Sequence, residues 1–319
     1  MQKTIVVAGA AGFIGSHLVR VLLEQGHRVI GVDSLITGDR RNLRGLSKSG
    51  AFVFKKHDVT RPLKIAEPVH EIYNLACPAS PAKYFAFPFE TIAASVDGIR
   101  QLLAFARVKG ATLLHASTSE VYGDPEVHPQ PETYLGSVNP IGPRACYDEG
   151  KRLAETLCFE YIRQYQAPVK VVRIFNTYGP NMALEDGRVV SNFIVSAIKG
   201  ATIRIDGDGS QTRSFCYVSD LVDGLVRMMA SAPDVHGPVN LGNATEFTVN
   251  ELAAEVLAVT KSRSEVVHSA PREDDPRRRQ PDIARAREIL GWEPKVSLRE
   301  GLQKSVAYFK KEVRRTTKV

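Results

Sequence analysis

The sequence predicts an α/β protein, with a doubly wound parallel sheet and a smaller, interleaved C-terminal domain. Apolar strand-like runs alternate with amphipathic helical stretches through the first half of the chain. Such alternation implies parallel strands joined by right-handed crossovers. A glycine-rich turn joins the first run to the first helical stretch. After Asn176 the elements become shorter and richer in Gly, Pro and Arg, which indicates the second domain.

The strand-like runs of the first half read TIVVAG, HRVIGVD, FVFKKHDV, EIYNLA and TLLHAS, and VKVVRIFN supplies a sixth. Their short length and their β-branched residues are typical of buried strands. Between them, SHLVRVLLEQG and TIAASVDGIRQLLAFARVKG have helical apolar spacing. We therefore predict one domain over residues 1–176 and a second over 177–319, with one strand near residues 238–242 returning to the main sheet.

The composition is that of an ordinary globular protein. The 319 residues are 43% hydrophobic and 24% charged, which is enough to bury a sizeable core. Four cysteines lie without CxxC or His/Cys spacing, so we predict neither a metal site nor a disulfide framework, and a reducing, cytoplasmic location. The strand predicted at Thr4 leaves no room for a leader peptide, and no apolar run is long enough to span a bilayer.

The net charge of +7 is compatible with nucleic-acid binding but does not require it. One basic cluster is Arg277 to Arg279, and another is the tail from Lys310 to Lys318. The tail is typical of a solvated helix end, where cations complement the helix dipole. We therefore expect a small anionic ligand, and neither a nucleic acid nor a membrane.

The turn after the first run predicts a dinucleotide site. Gly9, Gly12 and Gly15 have GxxGxxG spacing and precede a helix that begins near Phe13. Glycines at such a turn let the backbone approach a pyrophosphate, whose charge the helix N-terminus favours. A glycine-rich turn alone is weak evidence, because glycines also end strands for steric reasons. Asp33 at the end of the second run strengthens the prediction.

The predicted dinucleotide is NAD. The carboxylate of Asp33 can accept hydrogen bonds from both ribose hydroxyls and would repel the 2′-phosphate of NADP. Ser34 follows it, with no adjacent arginine to neutralise such a phosphate. Asp58, in the string His57-Asp58-Val59 at the end of the third run, suits contact with the adenine edge. Its alternative role is to cap a turn.

The pattern that points to chemistry is Tyr147-Asp148-Glu149-Gly150-Lys151, on a predicted helix. A spacing of four residues places Tyr147 and Lys151 on one face, one turn apart. An ammonium nearby favours the phenolate and lowers the pKa of the tyrosine, which would produce a general base. Alone, the pattern also fits a surface tyrosine and lysine on an amphipathic helix.

A second segment, Ser117 to Gly123, leaves the fifth run at its C-terminal end. Open α/β sheets bind their ligands at that end of their strands. Thr118 and Ser119 are candidate hydroxyls for the same site, and their alternative role is to cap a turn or a helix. The two segments together are much more specific than either alone.

These motifs resemble those of the extended short-chain dehydrogenase/reductase family, of the NAD-dependent epimerase/dehydratase type with a Rossmann-type sheet, and within it the UDP-glucuronate decarboxylases (UDP-xylose synthases). The similarity runs from the glycine turn to about Glu312. It is carried by NLACPASP (74–81), STSEVYGDPEVHPQ (117–130), VNPIGPRACYDEGKRLAET (138–156), RIFNTYGP (173–180), GRVVSNF (187–193), GDGSQTRSFCYVSDLV (207–222) and DDPRRRQPDI (274–283). Two departures are GAAG, where many members read GGAG, and the variable PAKYFAF around residues 81–87.

The resemblance implies a lyase that works in three steps: oxidation at the sugar C4, loss of CO2 from the 4-keto intermediate, and re-reduction by the bound NADH. Tyr147 would take the proton of the 4-hydroxyl, and Thr118 would share a hydrogen bond with that oxygen. Lys151 would also hold the nicotinamide ribose. The family match adds Ser119 to this catalytic group.

Two further catalytic residues follow from the resemblance. Glu120 would assist water or proton delivery at C5, and Arg279 would lie near the substrate carboxylate, which a planar guanidinium suits. The alternative is that Arg277 to Arg279 form a solvated loop. Arg277 and Arg278 are themselves predicted to be surface charge.

The predicted binding residues form two sets. Those assigned to NAD, which would stay bound and be regenerated each turnover, are Gly9, Gly12, Phe13, Ile14, Gly15, Asp33, Ser34, Thr37, Asp58, Val59, Leu75, Cys77, Ser117, Tyr147 and Lys151. Those assigned to UDP-glucuronate are Pro78, Ala79, Ser80, Tyr84, Glu120, Asn176, Arg188, Asn192, Arg213, Tyr217, Arg272 and Arg279.

The arginines of the second set suit a diphosphate. By resemblance Arg213 and Arg272 clamp it and Asn176 donates to it. Arg188 and Asn192 would lie near the uridine or a dimer interface. The alternative is a set of unrelated salt bridges.

Two helical stretches, Thr91–Arg107 and Tyr147–Tyr165, offer apolar faces that could simply pack on the sheet. In related enzymes the equivalent pair forms an intersubunit four-helix bundle. The resemblance therefore implies a homodimer.

Two other classes of function stay open. A UDP-glucose 4-epimerase would lack Glu120 and the PASP segment, and a dTDP-glucose 4,6-dehydratase would carry Asp-Glu where this chain has Ser119-Glu120. A non-catalytic NAD-binding scaffold is also compatible with the fold. The presence of Tyr147, Lys151 and Thr118 argues against the scaffold.

Overall fold

The computed structural model describes residues 1–46, 50–270 and 278–316. Its strands are β1 (Thr4–Ala8), β2 (Arg28–Asp33), β3 (Phe52–Lys56), β4 (Glu71–Asn74), β5 (Thr112–Thr118), β6 (Val169–Ile174), β7 (Thr177–Tyr178), β8 (Ile203–Asp206), β9 (Thr212–Ser214), β10 (Cys216–Tyr217), β11 (Val239–Leu241), β12 (Glu246–Thr248), β13 (Val266–Ser269) and β14 (Arg278–Arg279). Its α-helices are α1 (Phe13–Glu24), α2 (Pro81–Ala86), α3 (Pro88–Ala93), α4 (Ile99–Lys109), α5 (Ala145–Tyr165), α6 (Val189–Lys199), α7 (Val218–Ala230), α8 (Val249–Thr260), α9 (Ala284–Leu290) and α10 (Leu298–Thr316). Short 3-10 turns lie at Arg40–Leu43 and Ser119–Tyr122, and a π-helical turn lies at Ala94–Gly98.

Seven parallel strands form the main sheet, in the order β11-β6-β5-β4-β1-β2-β3. The six predicted runs are β1 to β6, and the strand predicted near residues 238–242 is β11, which pairs in parallel with β6. The chain order reverses between β1 and β4, so the carboxyl ends of these strands open a crevice where such sheets bind ligands. The predicted doubly wound α/β fold is confirmed.

Alternate residues of each strand face opposite layers of helices. Ile5 and Val7 of β1 lie in one hydrophobic cluster with residues of α1, α7 and α10, whereas Val6 and Ala8 lie in a second cluster with residues of α4 and α5. This period of two follows from the pleat of a strand. Because both faces are covered, the strands read in the sequence as continuous apolar runs.

The C-terminal part is interleaved with the main sheet. It adds a three-stranded sheet, in which β9 pairs antiparallel with β12 and parallel with β14, and a β8–β13 pair. The hydrophobic cluster that contains Ile5 also contains Leu252 of α8 and Phe309 of α10. The boundary predicted at residue 176 therefore does not separate two cores.

The helix predicted over Thr91–Arg107 is present, but it is not uniform. The α3 helix, the π-helical turn and α4 follow one another without a break. Proline stands in the first turn of α3, where its missing N–H is not needed, and Gly110, with φ 64°, ends α4. Among the helices that the structure describes, none is long and apolar enough to cross a membrane.

Candidate active site

A cleft of about 710 Å³ opens at the carboxyl ends of the central strands. Its walls come from the main sheet, from the segment around α2 and from the C-terminal part. The predicted residues that line it are Gly9, Gly12, Phe13, Ile14, Gly15, Thr37, Leu75, Cys77, Ala79, Ser80, Tyr84, Ser117, Thr118, Ser119, Glu120, Tyr147, Lys151, Asn176, Arg188, Asn192, Arg213 and Arg279. The fold thus gathers most residues of the two predicted binding sets around one cavity.

Close backbone contacts explain the glycine turn. Gly9 has φ +81°, and a Cβ there would lie 2.7 Å from the carbonyl carbon of Leu75. A Cβ on Gly15 would lie 2.0 Å from the carbonyl oxygen of Gly9, so only glycine fits without a backbone shift. No side chain caps the start of α1 at Gly12. The turn therefore has the open helix end and the space that a dinucleotide pyrophosphate requires.

Asp33 ends β2 and is buried. Its Oδ2 accepts a hydrogen bond from the backbone N–H of Ala11 at 2.9 Å, and its Oδ1 accepts one from Leu35 at 2.8 Å. Burial raises the pKa of Asp33, and these two bonds partly offset the rise. Asp33 and Ser34 stand just outside the lining of the cleft, so their contact with the cofactor ribose stays a prediction.

Asp58 has the capping role that was its alternative in the sequence. The third strand ends at Lys56, and Asp58 Oδ1 accepts a hydrogen bond from the N–H of Thr60 at 2.9 Å in the turn beyond. Val59 packs into the hydrophobic cluster under α4. Neither Asp58 nor Val59 lines the cleft, so their contact with the adenine stays a prediction.

Tyr147 and Lys151 lie one turn apart on α5, and Tyr147 is hydrogen bonded to Thr118 at the end of β5. The Nζ of Lys151 donates to the carbonyl oxygen of Ala116 at 2.8 Å and lies 5.9 Å from the ring centroid of Tyr147. All three side chains are buried. A helix face and a strand end thus place a phenol, a hydroxyl and an ammonium together.

The pKa of Tyr147 is raised in the structure, which differs from the lowering predicted from Lys151. Burial is the largest cause, Cys77 adds to the rise, and the hydrogen bond with Thr118 opposes it. The ammonium of Lys151 is engaged by a backbone carbonyl and is not among the main influences. In this state Tyr147 is therefore a neutral phenol at physiological pH.

Tyr84, from the variable segment around residues 81–87, packs directly on Tyr147. The ring centroids are 5.2 Å apart and the planes differ by 9°. Its hydroxyl is buried and has no hydrogen-bond partner among the described residues. A buried hydroxyl without a partner is costly, and Tyr84 borders the cleft, so a polar group of a ligand is the natural partner.

Glu120 is a negative charge held between two arginines. Its Oε1 pairs with Nη1 of Arg279, and its Oε2 pairs with Nη2 of Arg144. Burial alone would raise the pKa of Glu120, but Arg279 and Arg144 outweigh burial and lower it to about 2. Glu120 is therefore ionised throughout the physiological range.

Arg213 and Arg279 are cross-strand neighbours, because the register of β9 and β14 places them opposite each other. They are only 8% and 3% exposed. Like charges at such positions destabilise a sheet unless an anion compensates them, and Arg213 also acts on the carboxylate of Glu120. With Arg144, three guanidiniums face one ionised glutamate, so this end of the cleft attracts a further anion.

Arg188 and Asn192 belong to the start of α6 and line the cleft. Arg188 donates to the carbonyl oxygen of Ala79 at 2.8 Å and pairs with Asp186. Asn192 donates to the carbonyl oxygen of Gly187 at 3.2 Å. The bond from Arg188 to Ala79 ties the start of α6 to the segment before α2.

Two of the predicted substrate residues do not line the cleft. Tyr217 packs edge-on against Tyr178, with ring centroids 5.6 Å apart, beneath α10, so its placement makes it part of the core. Pro78 is also absent from the lining. Arg272 and Arg277 lie outside the described residues, while Arg278 is exposed as predicted.

Two residues at the site, Arg144 and Asp148, were not predicted from the sequence motifs. Arg144 immediately precedes α5 and lines the cleft. Asp148 is buried, and its Oδ1 has no hydrogen-bond partner in the described part of the chain. Burial and Glu120 raise the pKa of Asp148 to about 7. In the sequence, their position next to Tyr147 was the signal that pointed to the site. This signal is weak, because charged residues at the start of a helix are most often solvated.

A buried network supports the end of β5. Ser117 Oγ donates to Oε1 of Glu155 at 2.6 Å. Arg173 of β6 binds the same carboxylate through two hydrogen bonds, of 2.9 and 2.7 Å. Because Glu155 lies one turn beyond Lys151, this network locks α5 against the two strands that carry the site.

The chain is similar to known proteins along most of its length. The profile of the NAD dependent epimerase/dehydratase family matches residues 5–242. UDP-glucuronic acid decarboxylase 1 of Danio rerio is 51% identical over 312 residues, which cover 98% of this chain and 74% of that protein. UDP-glucuronic acid decarboxylase 5 of Arabidopsis thaliana is 53% identical over 299 residues, which cover 93% and 86%.

One similar solved structure contains both a UDP-sugar and NAD. A UDP-glucuronic acid 4-epimerase from Bacillus cereus, in complex with UDP-glucuronic acid and NAD, has a TM-score of 0.88 and is 26% identical. The match covers 97% of this chain and 99% of that chain.

Proposed function

Since the chain belongs to the NAD-dependent epimerase/dehydratase family, we propose that it converts UDP-glucuronate to UDP-xylose and CO2. The observation that carries the proposal is the pairing of Glu120 with Arg279 beside Tyr147 and Thr118 in one cleft. The hydroxyls alone would suit oxidation of any sugar at C4, whereas the buried guanidiniums suit a sugar that carries a carboxylate. The two relatives named UDP-glucuronic acid decarboxylase support the same substrate.

The first step is oxidation at C4 of the sugar. Bound NAD would supply the hydride acceptor and a positive ring, which lowers the pKa of a nearby phenol. Tyr147 accepts the proton of the 4-hydroxyl, and Thr118 holds the same oxygen. Lys151 and the glycine turn would hold the cofactor itself.

The second step is loss of the carboxylate from the 4-keto sugar. The carboxylate is β to the new ketone, so its carbon–carbon bond breaks with the electron pair passing into an enolate, and CO2 leaves. Tyr147 and Thr118 stabilise the enolate oxygen by hydrogen bonding. Arg279 orients the carboxylate before the bond breaks.

The third step restores the sugar. Glu120 orients the group that protonates C5, and Tyr147 returns its proton to the C4 oxygen, where the bound cofactor would supply the hydride. In sum, UDP-glucuronate and one proton yield UDP-xylose and CO2 without net oxidation. We therefore infer that NAD is regenerated in each turnover and stays bound.

The nucleotide diphosphate would lie along the C-terminal wall of the cleft. Arg213 supplies a buried positive charge there, and Asn176 and Arg188 also line this side. A diphosphate paired with buried arginines gains charge-assisted hydrogen bonds. The clamp predicted for Arg272 lies outside the described residues.

The proposal is tested by product analysis with UDP-glucuronate in deuterated water. We expect release of CO2 and NMR signals of UDP-xylose with deuterium at C5, because that proton comes from solvent. The structural likeness to a UDP-glucuronic acid 4-epimerase makes epimerisation the second candidate. A C4 epimer with its carboxylate retained, or turnover of UDP-glucose alone, would overturn decarboxylation.

We also propose that the protein is a homodimer joined through the helices α3, α4 and α5. Phe89 and Ile92 of α3 are 80% and 43% exposed, and Leu153 of α5 is 46% exposed. Large apolar side chains that are left exposed on adjacent helices are typical of an interface. The four-helix bundle that the family resemblance implies would cover them.

A further inference from the structure

We propose that Arg144 is a positioning residue, which keeps Glu120 in place and ionised when Arg279 turns to the substrate carboxylate. This inference rests on the proposed function. It assigns a role to a residue that the sequence motifs did not single out. Its evidence is the geometry of the two ion pairs and the way in which each arginine is anchored.

The two arginines hold different oxygens of one carboxylate. Arg144 pairs with Oε2 of Glu120 and Arg279 pairs with Oε1. The three side chains come from different elements: Glu120 from the turn after β5, Arg144 from the residue before α5, and Arg279 from β14. They are 14%, 14% and 3% exposed, respectively. The carboxylate therefore keeps a bound guanidinium if either arginine changes partner.

Arg144 is anchored to the catalytic helix. Its carbonyl oxygen accepts hydrogen bonds from the N–H groups of Tyr147 at 3.0 Å and Asp148 at 3.1 Å. Its guanidinium carbon lies 6.0 Å from the ring centroid of Tyr84, which in turn stacks on Tyr147. Its Nε lies 3.9 Å from Oδ2 of Asp148. These contacts hold the guanidinium beside Glu120 independently of any substrate.

One N–H group of Arg279 is available to a ligand. Its Nη2 donates to the carbonyl oxygen of Gly123 at 3.1 Å, and its buried Nε has no partner among the described residues. The substrate carboxylate would supply a partner for Arg279. As Arg279 turns to that carboxylate, its pairing with Glu120 weakens.

Without Arg144, the substrate carboxylate beside Glu120 would raise the pKa of Glu120. A buried carboxylate that loses its partner takes up a proton, and a neutral Glu120 could not orient a proton donor as the ionised form does. Arg144 supplies the compensating charge. Among the described residues, the charged and titratable groups that act on Glu120 or lie against its partners include Arg144, Arg279, Arg213, Asp148, Tyr84 and Tyr147.

The first test compares Arg144→Gln with wild type. We expect kcat to fall about 10-fold or more, because Glu120 no longer supports proton transfer, with KM changed much less. Arg144→Lys keeps the charge and should recover part of kcat. Arg163→Gln is the control, since Arg163 lies on the same helix but pairs with Glu160 on the surface. Equal losses in Arg144→Gln and the control would overturn the role.

A double-mutant cycle separates positioning from a merely structural role. If Arg144 acts through Glu120, then the pair Glu120→Gln and Arg144→Gln loses no more kcat than Glu120→Gln alone. Additive losses would overturn the proposal. The acidic limb of the kcat profile should also move to higher pH in Arg144→Gln, because Glu120 loses a counter-ion.

A titration without turnover keeps this inference separate from the proposed function. Glutamate carboxyl carbons are labelled with ¹³C, and the Glu120 signal is assigned by its loss in Glu120→Gln. We expect the midpoint of Glu120 to be about one pH unit or more higher in Arg144→Gln than in wild type. An unchanged signal overturns the positioning role. Failure of wild type to release CO2 overturns only the function, and this titration then still decides the role of Arg144.

Discussion

Burial sets the protonation of the residues at the centre of the site more strongly than any single neighbour does. It is the largest influence on Tyr147, Asp148 and Glu120 alike. Only at Glu120 do the arginines reverse its effect. Tyr147 is therefore a neutral phenol, Asp148 is a carboxyl that titrates near neutrality, and Glu120 is an ionised carboxylate. The three groups lie close together and share contacting side chains. Such divergent pKa values are typical of catalytic sites.

The substitution Tyr147→Phe removes the proposed base and leaves the ring. We expect CO2 release to fall at least about 100-fold, the usual contribution of general acid–base catalysis. NAD affinity should persist, because Lys151 and the glycine turn, which would hold the cofactor, are unchanged. Radiometric CO2 release and calorimetric NAD titration measure the two effects. Tyr161→Phe, on the same helix, is the control, and near-normal turnover in Tyr147→Phe would remove the assigned base.

The substitution Asp148→Asn tests the raised pKa of Asp148. Because burial raises the folded-state pKa to about 7, the folded protein binds this proton more tightly than the unfolded chain does. The free energy of unfolding therefore falls as the pH rises from about 4 to about 7, by on the order of 4 kcal/mol. Asp148→Asn should lose that part of the pH dependence.

Urea unfolding at pH 5 and pH 8 measures this difference. Asp223→Asn is the matched control, since Asp223 pairs with Arg227 at the surface. If wild type and Asp148→Asn show the same change in unfolding free energy between the two pH values, then Asp148 is ionised in the folded protein and its pKa is not raised.

At the scale of elements, α5 connects the site with the proposed interface. Its inner face carries Tyr147 and Lys151, and its outer face carries the half-exposed Leu153. The neighbouring π-helical turn is packed closely, since a Cβ on Gly98 would lie 2.9 Å from Cγ2 of Val59. The helix α5 therefore carries residues of both the site and the proposed interface.

The substitution Phe89→Glu tests the interface. Burial of a phenylalanine contributes about 1.5–3 kcal/mol, and a charge at the same place opposes association. We expect sedimentation velocity to show a dimer for wild type and a monomer for Phe89→Glu. Val127→Glu, in the loop after β5 and 41% exposed, is the control. A wild-type monomer near 35 kDa would contradict the proposal.

At the scale of the whole molecule, one hydrophobic cluster joins both predicted domains. It runs from Ile5 and Leu114 of the main sheet to Leu252 and Phe309 of the C-terminal helices. Arg279 of the C-terminal part also pairs with Glu120 of the first part. The active site therefore depends on both parts being folded together.

We accordingly expect a single cooperative unfolding transition. Residues 1–176 alone would expose the sheet face that α7 covers, and so should bind hydrophobic dyes and lack a sharp transition. Calorimetry checks the whole chain, where the ratio of van't Hoff to calorimetric enthalpy should be close to one. Two separated transitions would instead show independent domains.

Local patterns determined much of this protein. The glycine turn, β1 to β6, β11 and the start of α1 lie where the sequence predicts them, because strand and helix periods are properties of neighbouring residues. The same holds for Tyr147 and Lys151, which a spacing of four places on one face of α5. The family resemblance predicted that Glu120 and Arg279 take part in the chemistry.

Only the tertiary structure decided which charges meet and how deeply they are buried. Glu120 and Arg279 pair across 159 residues, and the register of two short strands places Arg213 beside Arg279. Arg144 and Asp148 carry no motif of their own, yet the fold brings both to Glu120. The pKa of Tyr147 rises because burial outweighs Lys151. Long-range proximity and desolvation arise from tertiary packing, so the local periodicity of the sequence does not predict either of them.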